Sequence, residues 1–272
     1  MSDGYRAVLF DFFGTLTCAV TRGPTHERVA RLLGCDPAAF TVLLDRTYHE
    51  RASGALGDAR ASLRQIARRL GRSPTPAQLT EAARVRYHAV QADIRLRADA
   101  VCTLWTLRAR GLRTALVSDC TDELPRILPS LPIADHLDAA VFSCQLGFAK
   151  PDPIVFRMAS RRLGVRPDEC LYVGDGGGRE LSGARATGMT AVRLAAPDLA
   201  MHLTFDAERD WDGPSVACLS EVPDLAVAGS PLPNGSHGPC PRTPQCDDRA
   251  GLSGMAGYLA HGRAELVPSG RR

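Results

Sequence analysis

Lysine is nearly absent from this sequence. Of its 33 basic residues, 32 are arginines, and Lys150 is the single lysine. A guanidinium is a broad planar fork, whereas an ammonium is a compact point charge that fits a tight pocket. In a chain that has arginine at every other cationic position, a lysine is expected only at a site that a guanidinium would not fit. We therefore predict that Lys150 is functional rather than a residual surface cation.

Long apolar runs are also lacking, as is a secretory pattern at the N-terminus. No run approaches the length needed to cross a bilayer. The nine cysteines are odd in number, and most stand singly within apolar segments. That pattern favours buried thiols over a disulfide framework. We therefore expect a cytoplasmic protein with no membrane partner.

Aromatic residues make up only 6% of the sequence, and they are scarce in its most basic stretch. Residues 60–113 contain twelve arginines and three acids. Non-specific binding of single-stranded nucleic acid uses aromatic side chains on which bases stack, so the scarcity argues against a nucleic-acid partner. Two interpretations remain: the arginines are solvated helix faces, or they form a positive lid that attracts small anionic substrates.

The apolar pattern predicts an α/β core. Strands are expected at 6–11, 112–118, 139–143, 170–174 and 190–194, with a further one at 216–219. Helical patterns of ten to fifteen residues separate them, which is typical of right-handed crossovers and a parallel sheet. The core is therefore predicted to be a Rossmann-like, three-layer structure.

Two segments of the chain do not follow this alternation. Residues 18–97 show helical periodicity, for example in 60–70 and 77–95, and are predicted to form a small all-helical cap. Residues 228–272 are rich in glycine, proline and serine, which predicts a disordered tail. The core would then comprise residues 1–17 and 98–227.

Four polar residues fall at the carboxyl ends of predicted strands or in the loops after them: Asp11, Ser118, Lys150 and Asp175. Ligands of open parallel sheets bind at that edge. The set suits a phosphoryl group, because a carboxylate can attack phosphorus and a second one helps hold Mg²⁺. A hydroxyl and an ammonium would bind the remaining phosphoryl oxygens.

These residues resemble the four motifs of the haloacid dehalogenase-like hydrolase superfamily, most of whose members are phosphatases. The resemblance covers about residues 5–227 and includes a helical cap between the first and second motifs. The motifs in this sequence are Asp11-Phe12-Phe13-Gly14-Thr15-Leu16, Leu116-Val117-Ser118, Lys150-Pro151 and Gly174-Asp175 with Glu180.

The resemblance implies an aspartyl-phosphate mechanism for a small phosphorylated metabolite. Asp11 would be the nucleophile and a Mg²⁺ ligand, Asp175 a second ligand, and the Phe13 backbone carbonyl a third. Ser118 and Lys150 would bind the phosphoryl oxygens.

The resemblance also implies a role for Glu180, which would orient a metal-bound water. Glutamate stands there where aspartate is more usual. Four polar residues of the cap could equally face the active site or solvent: Arg46, Tyr48, His49 and Arg51.

Phe13 departs from the phosphatase pattern, which has a second aspartate at this position as general acid. Such an acid contributes about 10²–10⁴-fold to the rate. Three interpretations follow. The protein could be a Mg²⁺-dependent phosphatase that acts on good leaving groups or recruits an acid from the cap or the substrate. It could instead be a metal-independent enzyme like the 2-haloacid dehalogenases, or a non-catalytic protein that binds a phosphorylated ligand or another protein. The retained Lys150 and Asp175 favour the phosphatase.

Overall fold

The computed structural model describes residues 4–228, which form a parallel sheet with helices on both faces and a separate group of helices above it. The six strands are ordered β3-β2-β1-β4-β5-β6, and every neighbouring pair is parallel. Their bounds are β1 Ala7–Phe10, β2 Arg113–Ser118, β3 Ala139–Phe142, β4 Cys170–Gly174, β5 Thr190–Leu194 and β6 Ser215–Val216. The predicted α/β, Rossmann-like fold is confirmed.

Strand β1 lies in the middle of the sheet and is buried on both faces. Val8 and Phe10 pack into one apolar cluster, while Ala7 and Leu9 pack into the other. This two-sided burial explains why the strand reads as a continuous apolar run and not as an alternation. The helices on the two faces complete three layers. These core helices are α6 Ala100–Ala109, α7 Glu123–Ile127, α8 Ser143–Leu146, α9 Pro153–Leu163, α10 Glu180–Ala186 and α11 Val222–Ala228.

Five helices between β1 and α6 form the cap and have an apolar cluster of their own. Leu63 and Ile66 of α4 are at its centre. Thr75 starts α5 with a capping box and is followed by Pro76, a residue whose fixed φ suits the first helical turn. The cap helices are α1 Thr25–Leu32, α2 Pro37–Arg46, α3 Tyr48–Ala52, α4 Ala59–Arg69 and α5 Pro76–Asp93.

The chain enters and leaves the cap along two adjacent segments. Thr17 and Leu96 form an antiparallel bridge, and the Arg97 backbone N–H donates to the Leu16 carbonyl. The predicted boundaries, 17/18 and 97/98, remain predictions. The tail predicted for 228–272 lies, beyond Ala228, outside the described residues. Within the described residues, no helix is both long enough and apolar enough to cross a membrane.

Candidate active site

The carboxyl ends of the central strands bring three of the predicted residues to one cleft. Asp11 follows β1, Asp175 follows β4, and Lys150 lies in the loop before α9. Their side chains line a cleft of about 440 Å³, together with Phe13. Asp11 is only 5% exposed, and its backbone N–H donates to the Val173 carbonyl, which continues the sheet pairing by one residue.

Lys150 is a buried ammonium held between two carboxylates. Its Nζ lies 2.6 Å from Oδ1 of Asp11 and 2.5 Å from Oε2 of Glu180, and 3.5 Å from the Tyr172 hydroxyl. Burial opposes its charge, but the attraction of Asp11 and Glu180 outweighs burial and raises the pKa of Lys150 well above its ordinary value. The three contacts converge on one nitrogen, a geometry that suits a point charge better than a planar fork.

Glu180 is fully buried at the start of α10. Its Oε2 accepts from Lys150 and from the Tyr172 hydroxyl at 2.8 Å, and its Oε1 accepts from the Gly176 backbone N–H at 2.9 Å. Burial raises the pKa of Glu180 well above its ordinary value, and Lys150 offsets part of that rise. These contacts make Glu180 a support for Lys150. Its predicted role toward a metal-bound water stays a prediction.

Asp175 lies opposite Asp11 in the cleft. The Gly177 backbone N–H donates to its Oδ1 at 3.0 Å, and Nε2 of His202 is 3.6 Å from its Oδ2. Burial, and next the repulsion of Asp11, raise the pKa of Asp175. Gly14 lies against this pair with φ +82°, and a Cβ there would fall 2.7 Å from His202 Nε2 and 3.0 Å from Asp175 Oδ2. A side chain here would have to displace His202 and take a strained backbone conformation.

Ser118 and Phe13 differ in how they meet the cleft. Ser118 ends β2 and is 1% exposed, outside the cleft lining, and its hydroxyl has no hydrogen-bond partner among residues 4–228. Phe13 lies in the wide turn after β1, and its side chain lines the cleft. The role predicted for the Ser118 hydroxyl therefore remains a prediction.

Asp119, His202 and Phe205 line the cleft without having been predicted from the sequence, and Tyr48, which was left open between site and surface, lines it too. Both carboxylate oxygens of Asp119 accept from the Lys150 backbone N–H, at 3.0 and 3.1 Å, and burial raises the pKa of Asp119. The loop after β5 contributes His202 and Phe205 to the lining. From the cap, Tyr48 reaches the cleft, stacks on Phe205 at 4.0 Å between ring centroids, and donates to the Asp119 carbonyl.

The profile of the haloacid dehalogenase-like hydrolases matches residues 5–188. This chain belongs to that family. A glyceraldehyde 3-phosphate phosphatase of Methanopyrus kandleri is 37% identical over 131 residues, which cover 47% of this chain and 56% of that protein. A (S)-2-haloacid dehalogenase 1 of a Pseudomonas species is 32% identical over 130 residues, covering 47% and 55% respectively. The chain thus spans about half the length of the curated relatives it matches.

Solved structures agree on the fold of this haloacid dehalogenase-like hydrolase. A 2-haloacid dehalogenase from Pseudomonas syringae has a TM-score of 0.58 at 23% identity, over 81% of this chain and 97% of that one. At this identity the likeness is one of fold. The chain thus belongs to a family of hydrolases, and its relatives include proteins named as phosphatases and as dehalogenases.

The acidic residues of this hydrolase fit a divalent cation. One carboxylate oxygen from each of Asp11, Asp175 and Glu180 lies within 4.8 Å of the others. Hard oxygen donors at this spacing suit Mg²⁺. Asp11 and Asp175 line the cleft, whereas Glu180 is not among its lining residues; the predicted roles of Asp11 and Asp175 as metal ligands stay predictions.

Proposed function

We propose that this chain is a Mg²⁺-dependent phosphatase that acts on a small phosphorylated metabolite through an aspartyl phosphate on Asp11. The observation that carries the proposal is the pairing of Asp11 with Lys150 at 2.6 Å, beside a second carboxylate, Asp175, in the same cleft. Relatives named as phosphatases of small phosphorylated compounds support it.

The chemistry follows from the two oxygens of Asp11. Oδ1 is occupied by the Lys150 ammonium, so Oδ2 is the oxygen that attacks phosphorus. As the bond between Asp11 Oδ2 and phosphorus forms, the bond from phosphorus to the leaving oxygen breaks, and its electron pair leaves with the aryloxide or carboxylate product. Water then attacks phosphorus, the Asp11 oxygen–phosphorus bond breaks, and inorganic phosphate leaves with the water's oxygen while its protons pass to phosphate and solvent; the Asp11 carboxylate is restored. Lys150 and Ser118 would bind the phosphoryl oxygens throughout.

Magnesium, when bound, would neutralise charge on the phosphoryl oxygens. Asp11, Asp175 and the Phe13 carbonyl would hold it. These residues supply oxygen donors alone, which is the donor type that Mg²⁺ prefers.

Phe13 limits the choice of leaving group. A phenyl ring can neither protonate a departing oxygen nor activate water, so the 10²–10⁴-fold help of a general acid is missing at that position. Aryl and acyl phosphates leave as stable anions and need that help least. We therefore propose that they are the preferred class.

The test is a series of aryl and alkyl phosphates assayed with Mg²⁺ and with chelator. The rate should rise steeply as the leaving group becomes more acidic, and Asp11→Asn should abolish it. Phe13→Asp should improve alkyl substrates most, whereas the matched control Phe13→Leu, which removes the ring and adds no acid, should not. Phosphate release that persists in Asp11→Asn would contradict the assignment of the nucleophile.

Dehalogenation is the second candidate, favoured by the aromatic residue at Phe13 and by the relative named as a (S)-2-haloacid dehalogenase. It predicts chloride release from 2-chloropropionate without metal. Saturable binding of phosphorylated ligands without turnover of either substrate class would instead identify a binding protein. A cytoplasmic location is part of the proposal. Cys35, Cys120 and Cys170 are buried free thiols, which a reducing compartment maintains, but the expectation of free thiols fails at Cys18, which is disulfide-bonded.

A further inference from the structure

A second cavity of about 690 Å³ adjoins the catalytic cleft on the cap side. Six residues line both spaces, so the two spaces adjoin. They are Phe13, Tyr48, Asp119, His202, Leu203 and Phe205. We refer to the second cavity as the cap chamber. A substrate whose phosphoryl group sits at Asp11 would extend its remaining atoms into this chamber.

The walls of the cap chamber are largely apolar and aromatic. Phe13, Leu44 and Val90 contribute side chains, and the Tyr48 and Phe205 rings stack with an interplanar angle of 8°. Apolar walls with a few placed polar groups are typical of small-molecule sites. The chamber therefore suits a compact apolar body, and its aromatic rings suit a flat one.

One cation that lines the chamber forms no ion pair with any of residues 4–228. Arg51 of α3 is 5% exposed and lines the chamber. Its Nη2 donates to the Leu44 carbonyl at 2.7 Å, while its Nε has no hydrogen-bond partner among residues 4–228. Burial, and next the repulsion of Arg86, lower the pKa of Arg51 to about 9.

The other charged side chains of the chamber are already engaged. Asp119 accepts from the Lys150 backbone. The other charged side chains that line the chamber take part in three ion pairs: Arg22 with Asp45, His26 with Asp93, and Arg86 with Glu123. Within the described residues, Arg51 is therefore the chamber arginine that forms no ion pair, although Glu123, which pairs with Arg86, also attracts it. Burial of an unpaired charge is unfavourable, and a bound anion would relieve it.

We propose that the cap chamber binds the leaving group of the phosphorylated substrate, and that this group carries a second anion, a carboxylate, which Arg51 binds. This inference rests on the proposed phosphatase function for the phosphoryl end of the substrate. The substrate class is then a phosphate of a flat, largely apolar acid, with the phosphoryl group at Asp11 and the carboxylate at Arg51.

The test compares phenyl phosphates that carry a carboxylate at the meta or para position with the isosteric carboxamides. Both leave as aryloxides of similar shape. The carboxamide withdraws more electron density and gives the more acidic phenol, so faster turnover of the carboxylate ester cannot come from leaving-group acidity and reports the negative charge. Because a hydrogen bond to a charged group contributes far more than a neutral one, at least one carboxylate isomer should exceed its carboxamide in kcat/KM by about 10- to 100-fold. Arg51→Gln should remove this preference, and Arg51→Met repeats the test if that variant does not fold.

The matched control is Arg69→Gln, which removes a cap arginine that pairs with Glu50 at 2.6 Å outside the chamber. It should retain the preference. Equal kcat/KM for carboxylate and carboxamide in the wild-type protein would overturn the inference, and so would a preference that persists in a folded Arg51 variant.

Failure of the proposed function is recognised separately. If none of these esters is hydrolysed, the phosphatase proposal fails. Calorimetric titration of the same esters then decides whether the cap chamber binds a carboxylate at Arg51. Tenfold tighter binding of a carboxylate ester, lost in the Arg51 variants, would support an anion site at Arg51. Equal affinity of the two esters would refute it.

Discussion

Replacing Lys150 with methionine tests whether the ammonium holds the site together. The Lys150, Asp11 and Glu180 side chains are 4%, 7% and 0% exposed, so both ion pairs are buried. Removal of one partner from a buried pair costs about 3–5 kcal/mol, because the charge that remains is uncompensated. The two pairs share one nitrogen, and their losses do not add. We therefore expect Lys150→Met to lower the free energy of unfolding by about 3–5 kcal/mol at pH 7.

Urea denaturation in metal-free buffer measures this loss, and for a chain of this size it corresponds to roughly 6–20 °C in the melting temperature. Burial already raises the pKa of Glu180 and Lys150 offsets part of that rise, so without the ammonium the folded-state pKa of Glu180 rises further. A raised pKa contributes stability that is present at low pH and lost as the pH rises through it, so the deficit of the variant should shrink between pH 7 and pH 5.

Two further variants separate charge from packing. Lys150→Arg keeps the charge, and its broader head group should cost about 1–3 kcal/mol by overpacking. In the double variant Lys150→Met with Glu180→Gln, one of the two unpaired carboxylates is replaced by a neutral amide, so part of the lost free energy of unfolding should be regained. A Lys150→Met protein within about 1 kcal/mol of the wild type at pH 7 would refute the reasoning.

Three other predictions concern the active-site turn, a buried ion pair and the cap core. Gly14→Ala should fold but lose most activity in steady-state assays, since its Cβ would fall 2.7 Å from His202 Nε2 at a positive φ. Burial raises the pKa of Glu123, but the attraction of Arg86 at 2.6 Å outweighs burial and lowers that pKa. Glu123→Gln should therefore lower the free energy of unfolding by about 3 kcal/mol at pH 7 in urea titrations, and by progressively less as the pH falls toward 3. Ile66→Ala should cost about 2–4 kcal/mol in the same assay, because Ile66 is fully buried in the cap cluster.

The fold could be predicted because its strands and helices carry their own local patterns. The continuous apolar run at Ala7–Phe10 and the helical spacing in 60–70 each need only local information. The order of the six strands could not be predicted, because it depends on the side to which each crossover turns. No residue pattern in the crossover helices encodes that choice.

The site was predictable where its residues end strands or are compositionally unusual. Lys150 was identified as the single lysine, and it meets Asp11 across 139 residues of sequence. The complete burial of Glu180 was not predictable, since a glutamate at the start of a helix is usually solvated. His202 and Phe205 were missed because the loop after β5 has no periodicity that would orient its side chains.

Phe13 connects the missing acid to the shape of the substrate. The ring that replaces a proton donor also forms a wall shared by the catalytic cleft and the cap chamber. Reintroducing an acid with Phe13→Asp would therefore also expose a carboxylate to the volume in which we propose that Arg51 binds the substrate's second anion. Alkyl phosphates without a second charge should gain from that change, whereas carboxylated aryl phosphates should lose affinity because the new carboxylate repels theirs. Opposite responses of the two substrate classes would follow only if one side chain both limits proton transfer and lines the leaving-group site.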